Sequence, residues 1–73
     1  MSRAILEVPD ISCEHCERTV REALEPLPGV RQVDVDIRGK TVVVDFDETA
    51  VDMGRISATL AEEDYPAAAA RSL

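Results

Sequence analysis

From Val33 to Phe46, apolar side chains recur at every second position on either side of a short polar break. Few arrangements other than a β-hairpin accommodate that pattern. Val33, Val35 and Ile37 alternate with Gln32, Asp34 and Asp36; beyond the break, Val42, Val44 and Phe46 share one face and Val43 lies on the other. A period of two sends one set of side chains to the face of a sheet that meets a core and the other set to the opposite face. The strands are read over residues 30–37 and 41–46. Arg38-Gly39-Lys40 between them forms a tight turn, with Gly39 expected at the position that takes positive φ.

The flanking sequence supplies partners for this hairpin. In residues 4–8, Ala4, Leu6 and Val8 fall on one face and Glu7 on the other, and Pro9, lacking a ladder donor, ends the strand. After Ser12, a candidate N-cap, Cys16, Val20, Ala23, Leu24 and Leu27 lie on one helical stripe, with Glu14, Glu17, Arg18, Arg21, Glu22 and Glu25 on the other faces. Pro26 and Pro28-Gly29 stop that helix. A second helix is expected from a cap at Asp52, with Met53, Ile56, Leu60 and Ala61 inward. Gly54 weakens its start, Glu62-Glu63-Asp64 oppose the helix dipole at its end, and Tyr65-Pro66 breaks it. Residues 67–71 are read as a fourth strand, because a three-stranded sheet with two helices on one face gains from another edge. The order β-α-β-β-α-β predicts an α+β, ferredoxin-like fold: a four-stranded antiparallel sheet with two helices on one face, a single domain over residues 1–73.

At 73 residues the chain is close to the size below which an apolar core alone no longer holds a fold, and with Phe46 and Tyr65 its only aromatics that core has to be aliphatic. Eight basic against fifteen acidic residues give 8 − 15 = −7. Such a charge repels nucleic acid and anionic membrane surfaces and suits a basic docking face on a protein partner. The N-terminal residues lack the apolar run of a signal peptide. No stretch approaches the roughly 18 apolar residues of a membrane span. The expectation is a cytoplasmic protein with no membrane insertion.

Both cysteines lie in Ile11-Ser12-Cys13-Glu14-His15-Cys16, at the junction of a loop and the first helix. A loop so short staples little of the unfolded chain, which points to metal or redox work rather than a structural disulfide. Free N–H groups at a helix start favour thiolates, so both thiols are expected to have depressed pKa values. Thiolates are soft ligands that prefer Cu(I) to hard cations. A closed tetrahedral zinc site needs four ligands, which the chain does not cluster. The C-x-x-C spacing by itself is shared by copper, zinc and redox proteins.

The motif together with the β-α-β-β-α-β order resembles the heavy-metal-associated domain family, in particular its bacterial small copper chaperones, over nearly the whole chain from Leu6 to about Ala70. That family carries Gly-Met-x-Cys-x-x-Cys before a helix and, in bacterial members, Gly-Tyr near its end. Ile11 stands where the family has its non-ligating methionine, Asp10 and Asp64 replace the two glycines, and Tyr65 matches the aromatic residue. The resemblance implies Cys13 and Cys16 as metal ligands. Ile11, Ser12, His15 and Tyr65 are candidates for the surroundings of the metal. The same resemblance implies Cu(I) as cargo, passed by thiolate exchange through three-coordinate intermediates to a domain of a copper-transporting P-type ATPase. The apo protein is expected to be a monomer, and copper to bridge two copies through four thiolates.

The remaining candidates have simpler readings. His15 reads as a solvent-facing residue between the ligands, Met53 as core, and Ser12 as a cap; Tyr65 is either a hydrogen-bond partner of the thiolates or an ordinary half-buried tyrosine. Nothing pairs a nucleophile with a base, so no enzyme is expected. A thiol–disulfide oxidoreductase of the glutaredoxin or thioredoxin kind is the main alternative. It is disfavoured by the hairpin after the first helix and by the missing cis-proline loop. The second alternative changes the cargo to Zn(II), Cd(II) or Hg(II). Zinc-type members often add a carboxylate beside the cysteines, but the residue before Cys13 is Ser12.

Overall fold

The computed structural model describes residues 2–72. Six elements follow one another as β1 (Ser2–Glu7), α1 (Glu14–Leu24), β2 (Val30–Asp36), β3 (Thr41–Phe46), α2 (Met53–Glu62) and β4 (Ala69–Ser72). The strands form one sheet in the order β2-β3-β1-β4, with every neighbouring pair antiparallel. The ferredoxin-like arrangement expected from the sequence is therefore the observed one.

Register explains the core. Ala4 and Leu6 of β1 lie opposite Val44 and Val42 of β3, and Val33 of β2 also faces Val44. One sheet face thereby becomes continuous and aliphatic. Against it pack Cys16, Val20 and Leu24 from α1 and Ile56 and Leu60 from α2, all within one buried cluster closed by Phe46, Val51 and the loop residues Val8 and Ile11. No buried side-chain nitrogen or oxygen among the described residues lacks a partner. On the opposite face, Arg3 pairs with Asp45 at 2.6 Å.

Several local expectations are corrected. The cap of α1 is Cys13, in extended conformation (φ −158°, ψ 175°) and without a side-chain capping bond; Ser12 does not cap it. In α2 the cap is as expected, with Asp52 Oδ1 accepting from the Arg55 amide at 2.8 Å. Ala61 points to solvent rather than inward. In the hairpin turn the positive φ falls on Lys40 (55°), not on Gly39. The Asp36 carboxylate accepts the Gly39 amide at 3.0 Å, which fixes the turn one residue earlier. The final strand begins two residues later than expected, and all four of its residues are exposed on the sheet edge.

This topology brings three connections to one end of the sheet. The Val8 amide donates to the Lys40 carbonyl at 2.8 Å, joining the β1–α1 loop to the β2–β3 turn, and the Ala68 amide donates to the Glu7 carbonyl at 2.7 Å, joining the α2–β4 connection to β1. Both cysteines lie at this end.

Candidate metal centre

The loop that carries the cysteines is anchored from below. Ile11 is fully buried, and its amide donates to the Val8 carbonyl at 3.1 Å. Its carbonyl accepts from Lys40 Nζ at 2.7 Å. Cys13 follows at the helix start, exposed, and its carbonyl accepts the Glu17 amide at 3.2 Å as the first bond of α1. One turn on, Cys16 falls on the core stripe and is 7% exposed. The helix geometry thus sets one sulfur towards solvent and the other into the protein.

The two Sγ atoms are 3.8 Å apart and both thiols are free. A disulfide needs about 2.0 Å. Two sulfurs on one metal, at about 2.3 Å each, lie at most about 4.6 Å apart. The observed spacing falls within that reach without movement of the backbone. Cys16 Sγ also has Ser12 Oγ and the Asp10 carbonyl oxygen at 3.9 Å each. Among the described residues, no three side chains of the His, Cys, Asp and Glu types converge on a point. What comes together here is a pair of sulfurs.

Electrostatics separate Cys16 from an ordinary thiol. Its pKa is lowered to about 6, first by the Tyr65 hydroxyl hydrogen-bonding the sulfur and next by the Ser12 backbone N–H, with burial opposing both. Tyr65 is correspondingly raised to about 12, because its proton is held by Cys16 and because burial disfavours the phenolate. The leading influence therefore comes from the α2–β4 connection rather than from the helix start. Of the residues singled out in the sequence, the fold brings Cys13, Cys16, Ser12, Ile11 and Tyr65 together. His15 is exposed in the first turn of α1, and Met53 packs half-buried against the core. Lys40 was not singled out; nothing in a hairpin turn's composition announces that its side chain reaches a distant loop.

Residues 5–66 match the heavy-metal-associated domain family. The chain belongs to that family. It is 34% identical over 65 residues to a copper chaperone, CopZ, of Staphylococcus saprophyticus, covering 89% of this chain and 96% of the relative. It is 36% identical over 61 residues to the periplasmic component of a mercuric transport protein of Shigella flexneri, covering 84% of this chain and 67% of the relative. A solved CopZ metallochaperone superimposes with a TM-score of 0.87 at 30% identity, covering 90% of this chain and 98% of that one. The similarity extends over the motif, both helices and the hairpin, so the domain is heavy-metal-binding in kind.

Proposed function

We propose that this domain is a copper chaperone, a carrier rather than an enzyme, which holds Cu(I) between Cys13 and Cys16 and passes it to the metal-binding domain of a copper-transporting P-type ATPase. The observation that carries the reading is the pair of free sulfurs 3.8 Å apart with no third such ligand converging among the described residues. Soft, low-coordinate Cu(I) is the cation that such a pair suits best. Similarity to CopZ supports the same cargo.

The two cysteines divide the work by position. Cys16, with a pKa near 6, is largely thiolate at neutral pH and takes the metal with little proton release. Cys13 faces solvent, where an incoming thiolate of the partner can reach the ion. In transfer, one partner sulfur–metal bond forms and the Cys13–metal bond breaks, then a second partner sulfur–metal bond forms and the Cys16–metal bond breaks. The ion stays monovalent, and no electron moves. The net charge of −7 suits docking on a basic partner face. A single domain acting alone in a reducing cytoplasm, where both thiols stay reduced, completes the proposal. With Cys13 exposed and the ion under-coordinated, two copies can share copper through four thiolates. Sedimentation of the copper-loaded protein showing no association at high concentration would remove that part.

Anaerobic Cu(I) titration against a strong chelator tests the core of the reading. One ion per monomer is expected, with Cys13→Ser and Cys16→Ser each losing the tight phase; wild-type affinity in either variant would sink the two-thiolate site. The mercuric relative favours a second reading, Hg(II) as cargo. Parallel titrations with Hg(II) and Zn(II) and competition against Cu(I) decide between them.

A further inference from the structure

We infer that Lys40 is a positioning residue for the metal loop: its ammonium, reaching across from the β2–β3 turn, locks Ile11 and through it the segment bearing Cys13. Lys40 Nζ lies 2.7 Å from the Ile11 carbonyl oxygen, a contact spanning 29 positions of sequence. Lys40 takes no part in the ion pairs Arg3–Asp45 and Arg21–Glu17; its ammonium is directed to a backbone carbonyl. A hydrogen bond from a charged donor is stronger than one between neutral groups.

The backbone at Lys40 supports the assignment independently. Its φ is 55°, while Gly39 beside it, the residue best able to adopt that conformation, does not. A lysine in the left-handed region is uncommon. Here that conformation sets the Lys40 carbonyl on the Val8 amide at 2.8 Å and the side chain on Ile11. The two bonds grip the loop on both sides of Pro9 and Asp10. With its amide on Val8 and its side chain fully buried, Ile11 is held at every polar and apolar surface, and Cys13 is two residues away. Losing the ammonium would free the carbonyl and let Ser12 and Cys13 sample positions in which the sulfurs are farther apart.

Lys40→Gly separates the side chain from the fold, because glycine takes a φ of 55° without strain. In the metal-free variant, amide exchange at Ser12 and Cys13 is expected to accelerate about tenfold, while exchange in β1, β3 and α2 changes far less. In the copper-loaded protein, chelator-driven Cu(I) removal should be several-fold faster, on the order of threefold or more. Lys40→Arg, which keeps a charged donor, should restore both. Unchanged Ser12 and Cys13 exchange in Lys40→Gly, or a failure of Lys40→Arg to rescue, overturns the inference. The release measurement rests on the proposed copper binding, whereas the exchange measurement needs no metal. A wild-type protein that takes up no Cu(I) would therefore overturn the copper reading while the exchange data still decide the role of Lys40.

Discussion

Tyr65, in the connection between α2 and β4, and Cys16, in the first turn of α1, set each other's proton affinity: the phenol proton stabilises the thiolate, whose pKa falls to about 6, and the thiolate retains the phenol proton, whose pKa rises to about 12. The fold brings together a phenol donor and a thiolate acceptor from distant parts of the chain. The Cys16 sulfur is thus prepared by a residue outside the motif.

Replacing Tyr65 by phenylalanine removes the hydroxyl and leaves the ring. The Cys16 titration, followed by ultraviolet thiolate absorbance in the metal-free protein, should move from about 6 towards the ordinary thiol value of 9.0. A linked effect on folding follows. Between about 6 and 9 the unfolded chain binds more protons at Cys16 than the folded one, so stability rises with pH through that window and the contribution disappears on acidification below about 6. Tyr65 acts in the opposite sense above its unperturbed 10.0, where the unfolded chain ionises first and stability falls towards 12. Wild type should therefore show a larger pH-dependent gain between 6 and 9 than Tyr65→Phe, which keeps only the smaller influences of Ser12 and Cys13; parallel melting-temperature profiles would contradict this.

Asp64 occupies the place where the family has glycine, and its φ is 67°. Its amide donates to the Ala61 carbonyl at 3.1 Å, closing the end of α2 and aiming the chain towards Tyr65. Aspartate tolerates this region better than most residues. Asp64→Gly should fall within about 0.5 kcal/mol of wild type, its relief of strain offset by the freer unfolded chain. Asp64→Val should lose about 1–2 kcal/mol, because a branched side chain meets the backbone there. In a domain of this size that is a drop of roughly 4–16 °C in melting temperature. A valine variant that melts with wild type would show the left-handed conformation to be dispensable.

Much of this was legible in the sequence because it rests on periodicity. The alternation of Val33, Val35, Val42, Val44 and Phe46 reports the pleat directly, and the spacing of Cys16, Val20 and Leu24 reports the buried stripe of α1. The cysteines and Tyr65 stand out in the sequence by motif and family position. Ser12 was misread because a serine before a helix has the chemistry of a cap, yet backbone geometry places the cap at Cys13 and leaves Ser12 Oγ beside the Cys16 sulfur. The Gly39–Lys40 inversion was hidden for a similar reason. Residue preference points to glycine, while long-range bonds from Lys40 to Val8 and Ile11 decide the conformation. Contacts of that range leave no local signal.

Gly29 is the glycine whose freedom the fold requires. Its φ is +88°, and a Cβ built there would lie 2.7 Å from the Ala50 Cβ and 3.1 Å from the Asp47 carbonyl oxygen. Its own carbonyl accepts the Asp47 amide at 2.8 Å, so the segment cannot retreat without losing a bond at the end of the sheet opposite the cysteines. Gly29→Ala should destabilise by about 1–3 kcal/mol through strain and overlap. The cysteine titrations should not change. A denaturant midpoint equal to wild type would mean that Ala50 yields without cost.

The two helix starts make opposite predictions about similar residues. Asp52 Oδ1 accepts the Arg55 amide at 2.8 Å, so Asp52→Ala leaves a donor of α2 without its partner and should cost about 1 kcal/mol. Ser12 makes no capping bond; its hydroxyl faces Cys16 Sγ at 3.9 Å. Ser12→Ala should therefore leave unfolding free energy within about 0.5 kcal/mol of wild type, as an uncapped surface position would. Because the Ser12 hydroxyl is among the smaller influences that lower the Cys16 pKa, the same change should raise that pKa less than Tyr65→Phe does. Chemical denaturation of both variants, beside the thiolate titration of Ser12→Ala, measures these effects together. A loss of about 1 kcal/mol in Ser12→Ala would return the serine to the role of a cap.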